Sequence, residues 1–127
     1  MPLPSRPSAT DRRRAAERRG RGAERLAAAL LRLKGYRILA RGFRVPVGEI
    51  DLVARRWGVV AFVEVKRRGD VVSAIESIST RQRRRIAHAA EAFIAGRPEL
   101  AGLTQRFDVV LVAPRRLPRH ILDAWRP

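Results

Sequence analysis

Four charged residues interrupt two runs of strand-forming residues, where a strand should be burying hydrocarbon. They are Glu49 and Asp51 in Gly48-Glu49-Ile50-Asp51-Leu52-Val53, and Glu64 and Lys66 in Val59-Val60-Ala61-Phe62-Val63-Glu64-Val65-Lys66. Side chains two apart on a strand share a face, so Glu49 points with Asp51, and Glu64 with Lys66. The residues between the runs, Arg56-Trp57-Gly58, read as a tight turn. A hairpin closed by Trp57 and Gly58 sets Arg56 opposite Val59, Asp51 opposite Glu64 and Glu49 opposite Lys66, with all four charged groups on one side. Two carboxylates about 5 Å apart repel by roughly 3 kcal/mol at an effective dielectric of about 20, and like charges facing each other are unfavourable in a sheet. A divalent cation removes that repulsion. Two carboxylates, a backbone carbonyl and water form the hard-oxygen shell that Mg²⁺ or Mn²⁺ takes, with substrate phosphates completing it. Lys66 beside such an ion would orient or deprotonate a water and offset charge gathering on a phosphate. The chain otherwise uses Arg in place of Lys, Lys34 excepted, which suggests that a compact ammonium is wanted at position 66. The competing reading is a half-exposed hairpin whose wet face carries a Glu49–Lys66 ion pair. The unbroken apolar run Val59 to Val63 argues against a wet face and sets the acids at the rim of a buried sheet.

The elements that would position this hairpin are legible on either side of it. Residues 1–16 combine Pro2, Pro4 and Pro7 with Arg12-Arg13-Arg14, a composition expected to form a disordered basic arm ahead of a single domain over 17–127. The arm is either a phosphate-contacting segment or a solvated tail. From Ala15 to Lys34 the chain is rich in Ala and Leu, which predicts a helix with Ala23, Leu26, Ala27, Leu30 and Leu33 as its apolar stripe and Gly35 as its stop. Tyr36 to Val45 alternates as a strand that bends at Gly42, and Pro46 places it at an edge or a strand end. Ser79 or Thr80 caps a second helix with Ile86, Ala89, Ala90, Phe93 and Ile94 inward, stopped by Gly96 and Pro98. Phe107 to Val112 reads as a central strand broken by Asp108, and His120 to Trp125 as a short final one. The expected order is helix, three strands, helix, strand, an α/β fold with a mixed sheet flanked by helices.

Composition narrows the partner. The 127 residues carry 28 Lys and Arg against 12 Asp and Glu, a formal charge of +16, and such a field concentrates polyanions around the chain. Nucleic acid is the expected partner, since the basic residues are spread over the whole domain instead of along one helix face. No run approaches the roughly 20 apolar residues of a membrane span and no signal peptide is recognisable, so the expected location is the cytoplasm, with association to the nucleoid open. The absence of cysteine excludes disulfides, zinc–thiolate sites and cysteine nucleophiles, leaving oxygen or imidazole to hold any metal. His88 and His120 have no partner at ligand spacing and are expected at the surface.

At these residues the chain resembles the PD-(D/E)XK nuclease superfamily, with its restriction-endonuclease-like α-β-β-β-α-β core, and within it the YraN-type family of small bacterial proteins. The matching segments are Gly22-Ala23-Glu24, Gly35-Tyr36-Arg37-Ile38-Leu39, Gly48-Glu49-Ile50-Asp51-Leu52, Phe62-Val63-Glu64-Val65-Lys66-Arg67, Gln82-Arg83-Arg84 and Arg106-Phe107-Asp108-Val109-Val110. Ile50 stands where the superfamily's name has proline. The resemblance implies a Mg²⁺- or Mn²⁺-dependent endonuclease hydrolysing phosphodiester bonds of nucleic acid, DNA foremost and branched DNA included. It gives Asp51 and Glu64 the metal, Lys66 the catalytic lysine's place, and Glu24 that of a helical acid some members add to the metal site. Gln82, one turn before Ile86, would face the site. Arg67, Arg68, Arg81, Arg83 and Arg84 would contact the nucleic-acid backbone, the last three at a helix N-terminus where guanidinium groups are disfavoured unless a polyanion is near. Asp108 is assigned to structure, paired with a neighbouring arginine. The alternative is a non-catalytic nucleic-acid-binding module of the same fold, and cutting of branched DNA would call for a homodimer by symmetry.

Overall fold

The computed structural model describes residues 8–67 and 69–127. The order is α1 (Ala9–Leu33), β1 (Arg37–Val45), β2 (Gly48–Arg56), β3 (Val59–Lys66), α2 (Val71–Glu76), α3 (Thr80–Ala95), a 3₁₀ turn at Pro98–Leu100, β4 (Thr104–Leu111) and β5 (Arg119–Trp125). The five strands lie in sequence order in one sheet. β1, β2 and β3 form an antiparallel meander, β3 and β4 run parallel, and β4 and β5 return to antiparallel pairing. The parallel step needs a long crossover, which α2 and α3 supply. The expected α/β fold with a mixed sheet flanked by helices is the fold observed. No helix among the described residues is long and apolar enough to cross a membrane.

The sheet is covered on both faces, which explains why β3 and β4 are apolar without alternation. Ile50, Val53, Val60, Phe62, Phe107 and Val109 pack with Ile86, Ala89, Ala90 and Phe93 of α3. Leu52, Ala54, Ala61, Val63 and Val110 pack with Ala27, Ala28 and Leu31 of α1. The inward face of α3 is thus the expected one, and Ser79 caps it by accepting the Gln82 N–H. The stripe on α1 differs from expectation. Among its described side chains the buried ones are Ala23, Ala27, Ala28 and Leu31, whereas Leu26 is 52% and Leu33 87% exposed. Small side chains let the helix axis approach the sheet closely, so Ala23, Ala27 and Ala28 face inward with Leu31, and Leu26 and Leu33 are left on the flank.

Three further differences concern the elements. α1 begins at Ala9, so residues 9–16 of the expected arm are drawn into the helix, while residues 1–7 lie outside the described residues. Sequence periodicity missed α2, whose six residues are too few to show a period; its signal is Asp70, which accepts hydrogen bonds from the Ser73 N–H and hydroxyl. In β1 the alternation is broken by a shift in register between Ile38 and Ala40. Two connections follow the sequence closely: Gly35 takes φ 91° where α1 stops, and Trp57 takes φ 51° in the hairpin turn, directly after the pairing of Arg56 with Val59.

Candidate metal centre

The hairpin register fixes the site. β2 and β3 pair from Arg56 opposite Val59 to Leu52 opposite Val63, and the next step along that register would set Asp51 against Glu64. There the backbone ladder gives way to a side chain. Asp51 Oδ2 accepts the Val65 N–H at 2.8 Å, so the carboxylate occupies the place where the neighbouring strand's carbonyl would be. The Asp51 and Glu64 carboxyl groups meet closely enough to share a hydrogen bond. Glu64 Oε1 accepts the Gln82 amide at 3.0 Å from the first turn of α3, and Lys66 Nζ stands 4.0 Å from the same oxygen. The side chains of Glu64 and Lys66 are only 11% and 17% exposed.

Burial governs the electrostatics here. Desolvation pushes the Glu64 carboxyl up to about 9, reinforced by the Asp51 charge and opposed by Lys66. Burial also raises Asp51, against the Val65 N–H and the hydrogen bond from Glu64, which favour its ionised form. The two acids therefore divide the roles, Asp51 as the better anion and Glu64 as the holder of a proton, because two adjacent buried carboxylates do not both ionise at neutral pH without a compensating cation. Glu24 of α1 is raised too, by burial first and then by Asp51, with Arg41 opposing.

The structure thus brings Asp51, Glu64, Lys66 and Gln82 together. Glu24 approaches closely enough to feel Asp51, but among the described residues no three His, Cys, Asp or Glu side chains converge at metal-binding distance. The remaining hairpin acid corrects an expectation: Glu49 does not face Lys66 but turns outward to Arg44 of β1, 3.1 Å away, with both side chains largely exposed. The β1–β2 register sets Arg44 directly opposite Glu49, which gives the carboxylate a partner on that side. Two converging carboxylates with no third acid still suit a hard divalent ion of the Mg²⁺ type, which keeps several waters and takes one or two carboxylates plus substrate phosphates.

The basic residues separate into two groups. Arg67, Arg81 and Arg84 are exposed. Arg83 is committed to the fold, its Nε donating to the Ile78 carbonyl at 3.1 Å and its guanidinium lying 5.7 Å from the Trp125 ring. Arg68 lies outside the described residues. Two further arginines, Arg115 and Arg116, line a groove that begins at Lys66; their sequence signal is a basic pair bracketed by Pro114 and Pro118.

On the α1 face a separate polar network is buried. Asp108 accepts two bonds from Arg106, one from His120 and one from the Asp123 N–H, all between 2.7 and 2.9 Å. The expected arginine pairing is present. His120 is a correction: its side chain is 2% exposed, not at the surface, and its other ring nitrogen meets Lys34. No spacing rule could bring them together, since Lys34 and His120 lie 86 residues apart. His88 is exposed, as expected.

The model of the uncharacterised protein family UPF0102 matches residues 23–112, which contain the hairpin, both larger helices' inward faces and β4. Among curated relatives, a UPF0102 protein of Paramagnetospirillum magneticum is 66% identical over 79 residues, covering 62% of this chain and 61% of its own length. A UPF0102 protein of Parvibaculum lavamentivorans is 55% identical over 84 residues, 66% of this chain and 63% of the relative. One from a Bradyrhizobium species is 52% identical over 83 residues, 65% of this chain and 59% of the relative. The chain therefore matches about three fifths of the length of these relatives.

Proposed function

The chain belongs to the UPF0102 (YraN-type) family, and from that premise and its hairpin site we propose that it is a Mg²⁺- or Mn²⁺-dependent phosphodiester hydrolase acting on nucleic acid, DNA foremost. The observation that carries the reading is the buried Asp51–Glu64 pair, held in contact with Lys66 beside it, in a molecule of charge +16. An acid pair that retains a proton when alone is poised to exchange it for a divalent cation.

In this reading Asp51 and Glu64 hold the ion. The metal would supply positive charge and Lewis acidity to the phosphate oxygens. The Val65 N–H fixes Oδ2 of Asp51, and the Gln82 amide fixes Oε1 of Glu64, so both carboxyl groups have their orientation set by a second partner. Lys66 holds the attacking water by hydrogen bonding and offsets the charge that gathers on the phosphate in the transition state. Arg67, Arg81 and Arg84 bind the backbone without reading sequence. The same reading puts the protein on DNA in the cytoplasm and leaves a homodimer to be decided by the symmetry of the substrate.

The test is to incubate the protein with labelled duplex, single-stranded and branched DNA and with RNA, in Mg²⁺ and in Mn²⁺. Cleavage should vanish in Asp51→Asn and fall by about 10²–10³ in Lys66→Ala, the usual cost of one electrostatic contributor to the transition state. Cleavage that persists undiminished in Asp51→Asn overturns the assignment. A binding module without turnover is the second reading, favoured by the absence of a third converging acid among the described residues. It predicts salt-sensitive binding, no cleavage of any substrate, and little loss of affinity in Lys66→Ala.

A further inference from the structure

A groove of about 1180 Å³ opens next to Lys66 and runs between α1 and the loop joining β4 to β5. That volume exceeds the roughly 300–1,000 Å³ of a small-molecule site and suits a length of polymer. Its floor is apolar, lined by Val65, which stands between Glu64 and Lys66 on β3, and by Val112, just past the end of β4. Leu26 on one wall and Leu117 on the other are 52% and 89% exposed. Arg67, Arg115 and Arg116 line it together with Lys66. The loop wall is held by Pro114 and Pro118, and Arg115 takes φ 61° within it. A left-handed backbone at a residue other than glycine is unfavourable and persists where the surroundings fix it.

We propose that this groove receives an unpaired strand of nucleic acid and leads it to Asp51 and Glu64, so that the substrate is one with a single-stranded segment. The argument is one of surface chemistry. A duplex presents phosphates and sugars outward and keeps its base faces stacked inside, so it has nothing to offer an apolar floor. An unpaired strand has both kinds of surface: phosphates for cations and bare base faces for hydrocarbon and for guanidinium planes. Exposed leucines at the two walls with arginines between them match that alternation. The charge of the chain excludes a basic or neutral peptide as the favoured occupant. The proposal rests on the nuclease reading for what happens at the end of the groove, but not for the binding itself, which needs no metal.

The experiment is fluorescence anisotropy in EDTA, with the full chain and four probes of equal length: a labelled oligothymidylate, an oligouridylate, a DNA hairpin duplex and an RNA hairpin duplex. Unpaired strands are expected to bind at least tenfold more tightly than duplexes, and the thymidylate–uridylate comparison assigns DNA or RNA. Leu117→Asp is expected to weaken single-strand binding about tenfold while leaving duplex binding within twofold; Leu117 is so exposed that the variant keeps the fold, checked by its circular dichroism. Arg115→Ala with Arg116→Ala should weaken it further. Equal affinity for strands and duplexes, or unchanged strand binding in Leu117→Asp, overturns the proposal, as does self-association that Leu117→Asp abolishes without affecting strand binding. If strands bind in this pattern and nothing is cleaved, the nuclease reading fails and the groove stands. If Asp51-dependent cleavage occurs without preference for unpaired strands, the reverse holds.

Discussion

Glu64 concentrates the consequences of putting charge inside a sheet. Its carboxyl is raised from 4.5 to about 9, chiefly by burial and then by Asp51. Between those values the folded protein holds a proton that the unfolded chain has released, so in the absence of metal stability falls as pH rises through that window. Glu64→Gln mimics the neutral form and removes the dependence. In EDTA its melting temperature should exceed that of the parent at pH 8.5, by roughly 3–6 °C for each kcal/mol recovered, and approach it at pH 5. Added Mg²⁺ should raise the parent's melting point more at pH 8.5 than at pH 6, and leave the variant's unchanged. A variant that is no more stable at pH 8.5, or still responds to the ion, contradicts the pairing described. Asp108 is the opposite case. Burial pushes its carboxyl up, but His120, Arg106 and the Asp123 N–H outweigh burial and hold it below its usual range. Its contribution is present above the ordinary carboxylate pKa and is lost as pH falls through the depressed value. A His120 ring that donates from Nε2 to Asp108 and accepts at Nδ1 from Lys34 satisfies both partners. His120→Ala should therefore cost about 2 kcal/mol in urea unfolding, the loss expected when a buried carboxylate that keeps its arginine loses one hydrogen-bond donor.

Among the elements, α3 sets how the hairpin can work. Gly48 opens β2 directly against its backbone: a Cβ there would stand 1.8 Å from the Arg85 carbonyl oxygen and 2.6 Å from its carbon. The neighbour is main chain, so Gly48→Ala must move helix or strand. The expected cost is about 2–3 kcal/mol, as for overpacked cores, together with a loss of activity, because Gln82 lies one turn before Arg85 and would leave Glu64. Equal stability of Gly48→Ala by thermal unfolding contradicts the close approach. Much of this scale was legible in the chain. The turn at Trp57-Gly58, the Ser79 cap and the inward residues of α3 follow from spacing alone, since turns and caps are local. The stripe on α1 was not, because several faces of an alanine-rich helix satisfy the same periodicity and only docking on the sheet selects among them. Nor was the outward turn of Glu49, which depends on the β1–β2 register that sets Arg44 opposite it.

For the whole molecule, the charge of +16 is spread widely, but the groove brings Lys66, Arg67, Arg115 and Arg116 together along one lining. Four such cations neutralising phosphates, and so releasing the strand's counterions, give a slope of about −3 in log affinity against log salt for a single strand, or roughly a 60-fold loss between 50 and 200 mM. Replacing Arg115 and Arg116 by alanine should flatten that slope by about 1.4, read from anisotropy titrations over the same range. An unchanged slope would mean that the strand takes another path. The sequence by itself determined the strand pair, the face shared by Asp51, Glu64 and Lys66, and the basic balance, because alternation, turn chemistry and net charge are properties of neighbouring residues or of sums. Tertiary structure decided the rest. It placed Gln82 on Glu64, buried His120 between Lys34 and Asp108, and aligned the 114–118 loop with α1 to make a groove. Each of those joins residues far apart in the chain, and only the packing of two helices on opposite faces of one sheet brings them within reach.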